Sequence, residues 1–136
     1  MPSTRARDRG APGGLTLDAG ALIAYERGVT RIRRIVERAL ADGRTITIPA
    51  AIVAQAWRDP RRWRLTTLLA GCRIEPVDDA LARRAGELQA RCGTDDALDA
   101  LVAVSAADRG DVIVTSDPGD LQRLADGLGG VCVLAV

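Results

Sequence analysis

The sequence has no histidine, and its 19 basic residues are all arginine, so lysine is missing too. The first absence removes Ser-His and Cys-His nucleophiles, imidazole acid–base chemistry and histidine metal ligands. The second removes any mechanism that needs an amine in its site. Cysteine is scarce: Cys72, Cys92 and Cys132 are an odd number at wide spacing without a CxxC pair. That argues against a disulfide framework or a zinc site and for reduced core thiols. No apolar run is long enough to span a membrane, and "MPSTRARDRGAPGG" carries charge and glycine without the hydrophobic segment of a signal peptide. A cytoplasmic protein with no membrane partner is therefore expected. The net charge of +1 provides no general attraction to nucleic acid and leaves that role to local arginine clusters.

Oxygen chemistry remains. A length of 136 residues, 47% hydrophobic and 27% charged, suits one domain with a real core. Residues 1–14 are rich in Pro, Gly and Arg without periodicity and read as a disordered leader, with the domain over 15–136. Apolar, β-leaning runs follow at Leu15–Leu17, Thr45–Ile48, Cys72–Val77, Val112–Thr115 and Val131–Val136. Between them lie helical patterns at Ala19–Tyr25, Thr30–Ala41, Pro49–Trp57, Arg61–Leu69, Asp79–Arg91, Thr94–Arg109 and Pro118–Leu128. The alternation predicts an α/β fold: a mostly parallel central sheet of four to five strands, flanked by helices in three layers. No repeat is present.

In such a sheet, strand C-termini and helix N-termini share one edge, where ligands bind. Asp18 follows "LTL" and Asp117 follows "VIVTS", so both belong at that edge. Each has an ordinary explanation as an N-cap, Asp18 before Ala19 and Asp117 before Pro118, with Asp120 supporting the first turn. "GTDDALDALVAVSAADRG" brings more acid to the same place. If Thr94 caps this helix, Asp95 and Asp96 fall in its first turn and Asp99 in its second, past the reach of capping, just before the inward-facing Val102 and Ala103. A carboxylate there is costly unless a cation or donor meets it. Converging carboxylates raise one another's pKa, and a hard divalent cation, magnesium or manganese, is the usual solution. A phosphoacceptor receiver domain gathers aspartates similarly but needs a lysine, which this chain lacks.

"LTLDAGALIAYERG", "IPAAIVAQAWRD" and "TDDALDALVAVSAADRGDVIVTSDPGDLQRL" together resemble the PIN-domain ribonucleases, most closely the VapC-type toxins of bacterial toxin–antitoxin pairs. The resemblance implies a three-layer PIN fold and an endoribonuclease that hydrolyses RNA phosphodiester bonds with Mg²⁺ or Mn²⁺. It further implies that the ion is held by Asp18, Asp99 and Asp117, also the catalytic residues, with Asp96 as an auxiliary acid and Thr115 or Ser116 as a polar helper. The family places a glutamate where this chain has Gln55, whose amide offers the metal an oxygen but no charge. The alternative is thus a catalytically weakened or inactive PIN-fold binding or regulatory module.

"WRDPRRWRL" supplies Arg58, Arg61, Arg62 and Arg64 as candidate RNA contacts beside Trp57 and Trp63, which either stack on bases or pack into the core or an interface. "RIRRIVERAL" carries an apolar stripe at Ile32, Ile35, Val36 and Leu40 that suits a core or partner face. The resemblance and these stripes together imply a homodimer, and the resemblance implies a cognate antitoxin protein.

Overall fold

The computed structural model describes residues 13–136. The first twelve residues of the expected leader lie outside this range. Gly13 and Gly14 are already tied in: the Gly13 carbonyl accepts from Arg44 Nε, and the Gly14 carbonyl accepts from the Val112 N–H at 3.0 Å.

Strand β1 (Leu15–Leu17) is followed by helices α1 (Ala19–Glu26) and α2 (Thr30–Ala41), then β2 (Ile46–Pro49), α3 (Ala50–Ala56), α4 (Trp63–Ala70) and β3 (Arg73–Glu75). The second half runs α5 (Asp79–Cys92), α6 (Ala97–Arg109), β4 (Val112–Thr115), α7 (Gly119–Gly127) and β5 (Val133–Ala135). The sheet has five strands in the order β3-β2-β1-β4-β5, all pairings parallel. Helices α2 to α4 pack around α1, and α5 and α7 pack on α6 and on each other, with α6 against β1, β2 and β4. This is the expected three-layer α/β arrangement. Both faces of its central strands are covered: Leu15, Leu17, Ile46, Ile48, Ile113 and Val114 are all buried, and so are the threonines among them, Thr16, Thr47 and Thr115.

Several boundaries differ from the sequence pattern, each for a local reason. The expected strands Cys72–Val77 and Val131–Val136 shrink to three residues because they are the sheet edges, each paired on one side only. Helix α6 begins at Ala97 rather than Thr94, since the Asp96 carboxylate accepts from the Asp99 N–H at 3.0 Å and is the true N-cap. Asp99 therefore stands in the first turn, where a carboxylate also suits the helix dipole. Asp117 does not cap α7, which starts at Gly119 with Pro118 as its boundary residue. Of the stripe on α2, Ile32 and Val36 fill the core and Ile35 packs against it, whereas Leu40 is 48% exposed. The cysteines are free, but they are not all core thiols: Cys72 and Cys92 are half-buried and Cys132 is exposed. Burial pushes the Cys72 thiol up to about 11.

One charged network ties the end of α6 to β1, to the end of β3 and to the start of β4. The Arg109 guanidinium donates to Glu75 Oε2 on β3 (2.5 Å), Asp111 Oδ2 before β4 (2.9 Å), Thr16 Oγ1 on β1 (2.8 Å) and Ser105 Oγ on α6 (2.9 Å). Asp111 is buried and Arg109 nearly so. With every charge partnered and further hydrogen bonds on each side, the network meets the conditions under which a buried ion pair is tolerated.

Candidate metal centre

The chain adds β2 and β3 on one side of β1 and then returns to add β4 and β5 on the other, so its direction reverses between β1 and β4. The crevice beyond the C-terminal ends of those two strands is where open α/β sheets bind ligands. Asp18 leaves β1 there, and Asp117 lies two residues beyond β4.

Asp18 is buried at the start of α1 with both oxygens in use. Oδ1 accepts from the Ala21 N–H at 2.8 Å, so the carboxylate caps the helix; Oδ2 accepts from the Thr115 hydroxyl at 2.5 Å. Thr115 Oγ1 in turn accepts from the Asp117 N–H at 3.0 Å, coupling the turn that carries Asp117 to Asp18. Gly20 keeps the two loops close: a Cβ there would come within 2.2 Å of Ser116 Oγ. Burial raises the Asp18 carboxyl above its ordinary range and the charge of Asp117 adds to this, opposed by the Thr115 and Ala21 hydrogen bonds.

Asp99 reaches the same region from the first turn of α6. Carboxylate oxygens of Asp96, Asp99 and Asp120 lie within 4.8 Å of one another. Desolvation, then the Asp96 carboxylate, then the charges of Asp18 and Asp120 push the Asp99 carboxyl up to about 7. Asp99 is thus the hub that feels Asp18 on one side and the Asp96 and Asp120 pair on the other. Asp120, expected only to support the first turn of α7, is an additional member. Its signal was the Asp117-x-x-Asp120 spacing, which puts the second acid into the opening turn of α7 at this same edge.

Gln55 lies on α3 and lines a cleft of about 210 Å³ along α1, together with Leu22, Glu26, Arg27, Arg58 and Arg62. The four arginines singled out in the sequence divide. Arg58 and Arg62 line the cleft; Arg61 is tied to Asp59 by guanidinium hydrogen bonds of 2.8 to 3.2 Å; Arg64 donates to the Glu26 carbonyl and lies 5.3 Å above the Trp63 ring. Trp57 packs against the core, and Trp63 is 68% exposed.

A parallel five-stranded sheet with carboxylates gathered at its switch point defines the class: an α/β protein with an acidic crevice at that edge. The family model of the PIN domain matches residues 15–127, and the chain belongs to that family. Among solved structures it is similar to VapBC2 from Rickettsia felis bound to a DNA fragment from their promoter, at 15% identity and a TM-score of 0.66, covering 90% of this chain and 98% of that one. FitAcB from Neisseria gonorrhoeae is similar at 18% identity and a TM-score of 0.63, covering 88% and 96%. PAE2754 from Pyrobaculum aerophilum is similar at 16% identity and a TM-score of 0.60, covering 89% and 83%. At such identities the likeness is one of fold. No curated protein sequence matches the chain.

Proposed function

We propose that this chain is a divalent-metal-dependent endoribonuclease acting as the VapC-like toxin of a toxin–antitoxin pair. The observation that carries the reading is the convergence of carboxylates on Asp99, whose carboxyl is driven to about 7 by burial and by its acidic neighbours. Asp99 is half-buried between the exposed carboxylates of Asp96 and Asp120, and a cation among the three would offset both the desolvation and the repulsion that Asp99 bears. All the donors are oxygen, which suits Mg²⁺ or Mn²⁺.

In this reading Asp18, Asp99 and Asp117 hold the ion, with Asp96 and Asp120 as further ligands; Gln55, which the family resemblance makes a ligand, lies on the wall of the arginine cleft. A bound ion would supply acidification of a water molecule and neutralisation of charge on the scissile phosphate, so that no side-chain nucleophile would be needed. Asp18 contributes a fixed oxygen set, because its hydrogen bonds to Ala21 and Thr115 leave it little freedom to reorganise. Thr115 holds the Asp117 backbone in register with Asp18. Arg58 and Arg62 form no ion pair among the described residues; Arg58 Nη1 donates to the Ala54 and Trp57 carbonyls, which aim its remaining donors, and both guanidinium groups would hold phosphates of a single-stranded RNA, with Arg61 and Arg64 beside them as further contacts. The residues serve to bind and orient substrate and water, a division that matches a chain without histidine or lysine.

The partners in this reading are RNA, a cognate antitoxin and a second copy of the chain, in the cytoplasm. Among the described residues no helix is long and apolar enough to cross a membrane. The test is cleavage of single-stranded RNA with Mn²⁺ by the wild type and by Asp18→Asn and Asp99→Asn. Metal-dependent cleavage lost in both variants is expected, together with slowed growth on expression without the antitoxin. Absence of cleavage at every Mn²⁺ concentration would overturn the nuclease reading.

A further inference from the structure

Helix α4 opens without a cap of its own. Its boundary residue, Arg62, makes no side-chain hydrogen bond to the helix. The missing acceptor comes from a distant part of the chain: Glu26 Oε2, at the last residue of α1, accepts from the Leu65 N–H at 2.9 Å. The Glu26 carbonyl accepts from Arg64 Nη1 at 3.2 Å. Two contacts from one residue therefore fasten the start of α4 to the end of α1.

The loop ahead of α4 is internally built. Asp59 accepts from the Arg61 N–H at 2.9 Å and from its guanidinium, the Arg62 N–H donates to the Asp59 carbonyl at 3.0 Å, and Thr66 Oγ1 donates to the Arg62 carbonyl at 3.0 Å. Residues 59–66 thus move as a piece, and where α4 is held, Arg62 is held. Arg58 and Arg62 line the same cleft as Glu26. Asp18 caps the opposite end of α1, eight residues or about 12 Å away.

We propose that Glu26 is the positioning residue of the arginine cleft: by capping α4 from the end of α1, it sets Arg62 at a fixed distance from the carboxylates at the other end of that helix, opposite Arg58, which the Ala54 and Trp57 carbonyls hold from the α3 side. The proposal rests on the reading of the cleft as an RNA site. Glu26 acts on substrate binding and leaves the chemical step alone. As a negative charge beside three arginines it opposes RNA, so its reach, not its charge, is what the cleft needs.

Reach and charge separate in two substitutions. Glu26→Gln keeps an oxygen at the same distance and loses the charge; Glu26→Asp keeps the charge and falls one methylene short. Binding of a fluorescent single-stranded RNA oligonucleotide is measured by anisotropy in EDTA, where no cleavage occurs. Glu26→Asp is expected to bind about fivefold more weakly, the worth of one helix cap, and Glu26→Gln as tightly as wild type or tighter. Hydrogen exchange at the Leu65 amide should accelerate in Glu26→Asp alone. With Mn²⁺, KM should rise in Glu26→Asp while kcat holds. Weakening by Glu26→Gln, or wild-type binding by Glu26→Asp, overturns the proposal. An Arg58→Ala/Arg62→Ala double variant separates the two readings: if it binds RNA like wild type, the cleft is not an RNA site, whereas if it weakens and Glu26→Asp does not, Glu26 alone is wrongly assigned.

Discussion

Removing the hub of the acidic cluster should stabilise the metal-free protein. The Asp99 carboxyl is raised from 3.8 to about 7, so its proton favours the folded state at low pH. That contribution is lost as pH rises through 7, where the folded chain must carry a charge it holds poorly. At 1.36 kcal/mol per pH unit the gap sets an upper bound of about 4 kcal/mol. Asp99 is only half-buried, so solvent screening reduces this to about 2 kcal/mol. Its favourable place in the first turn of α6 returns about 0.5 kcal/mol. Asp99→Asn carries no charge at any pH and keeps its backbone N–H for Asp96. It should be more stable than wild type by about 1.5 kcal/mol at pH 8 in EDTA, or about 5 °C in Tm. At pH 4 the two should coincide. Saturating Mn²⁺ should reverse the order, because only the wild type gains binding free energy on folding. Urea unfolding at the two pH values checks this, and an Asp99→Asn variant equal to or less stable than wild type at pH 8 would refute the electrostatic account of the site.

Asp120→Asn should weaken Mn²⁺ binding about as much as Asp96→Asn does; calorimetric titration showing no change would remove Asp120 from the centre. Gln55→Glu should tighten Mn²⁺ binding if the amide is a ligand, and an unchanged metal affinity with weakened RNA binding would assign Gln55 to the arginine cleft alone. Arg109→Met should cost about 3 kcal/mol in urea unfolding, because it leaves the buried Asp111 with no cation and only the Thr16 hydroxyl, and Glu75 with only Arg73 at 3.9 Å. Sedimentation at micromolar concentration should show a dimer, and a monomer throughout that range would reject the homodimer.

The sequence by itself determined the alternation of strands and helices and the placing of Asp18 and Asp117 after β1 and β4. Apolar period, β-branched runs and turn residues are local signals that survive in any surroundings. It also identified Asp99 as an acid in need of an explanation, although by a wrong route: the helix start at Asp96 rather than Thr94 depended on which of several adjacent caps won, a choice among near-equal local options. Only the tertiary structure decided the rest. The strand order creates the switch point, which sets Asp117 beside Asp18 and Asp18 within the field of Asp99 while Asp96 and Asp120 cluster with Asp99, and no local pattern records which strands become neighbours. The membership of Asp120 and the capping of α4 by Glu26 across 39 positions of chain have the same origin. The approach of Asp120 to Asp99 and the capping of α4 by Glu26 join groups far apart in the chain and exist only once the helices have packed on the sheet, whereas the Asp59–Arg61 pair is local and competes with the cleft for one of the arginines.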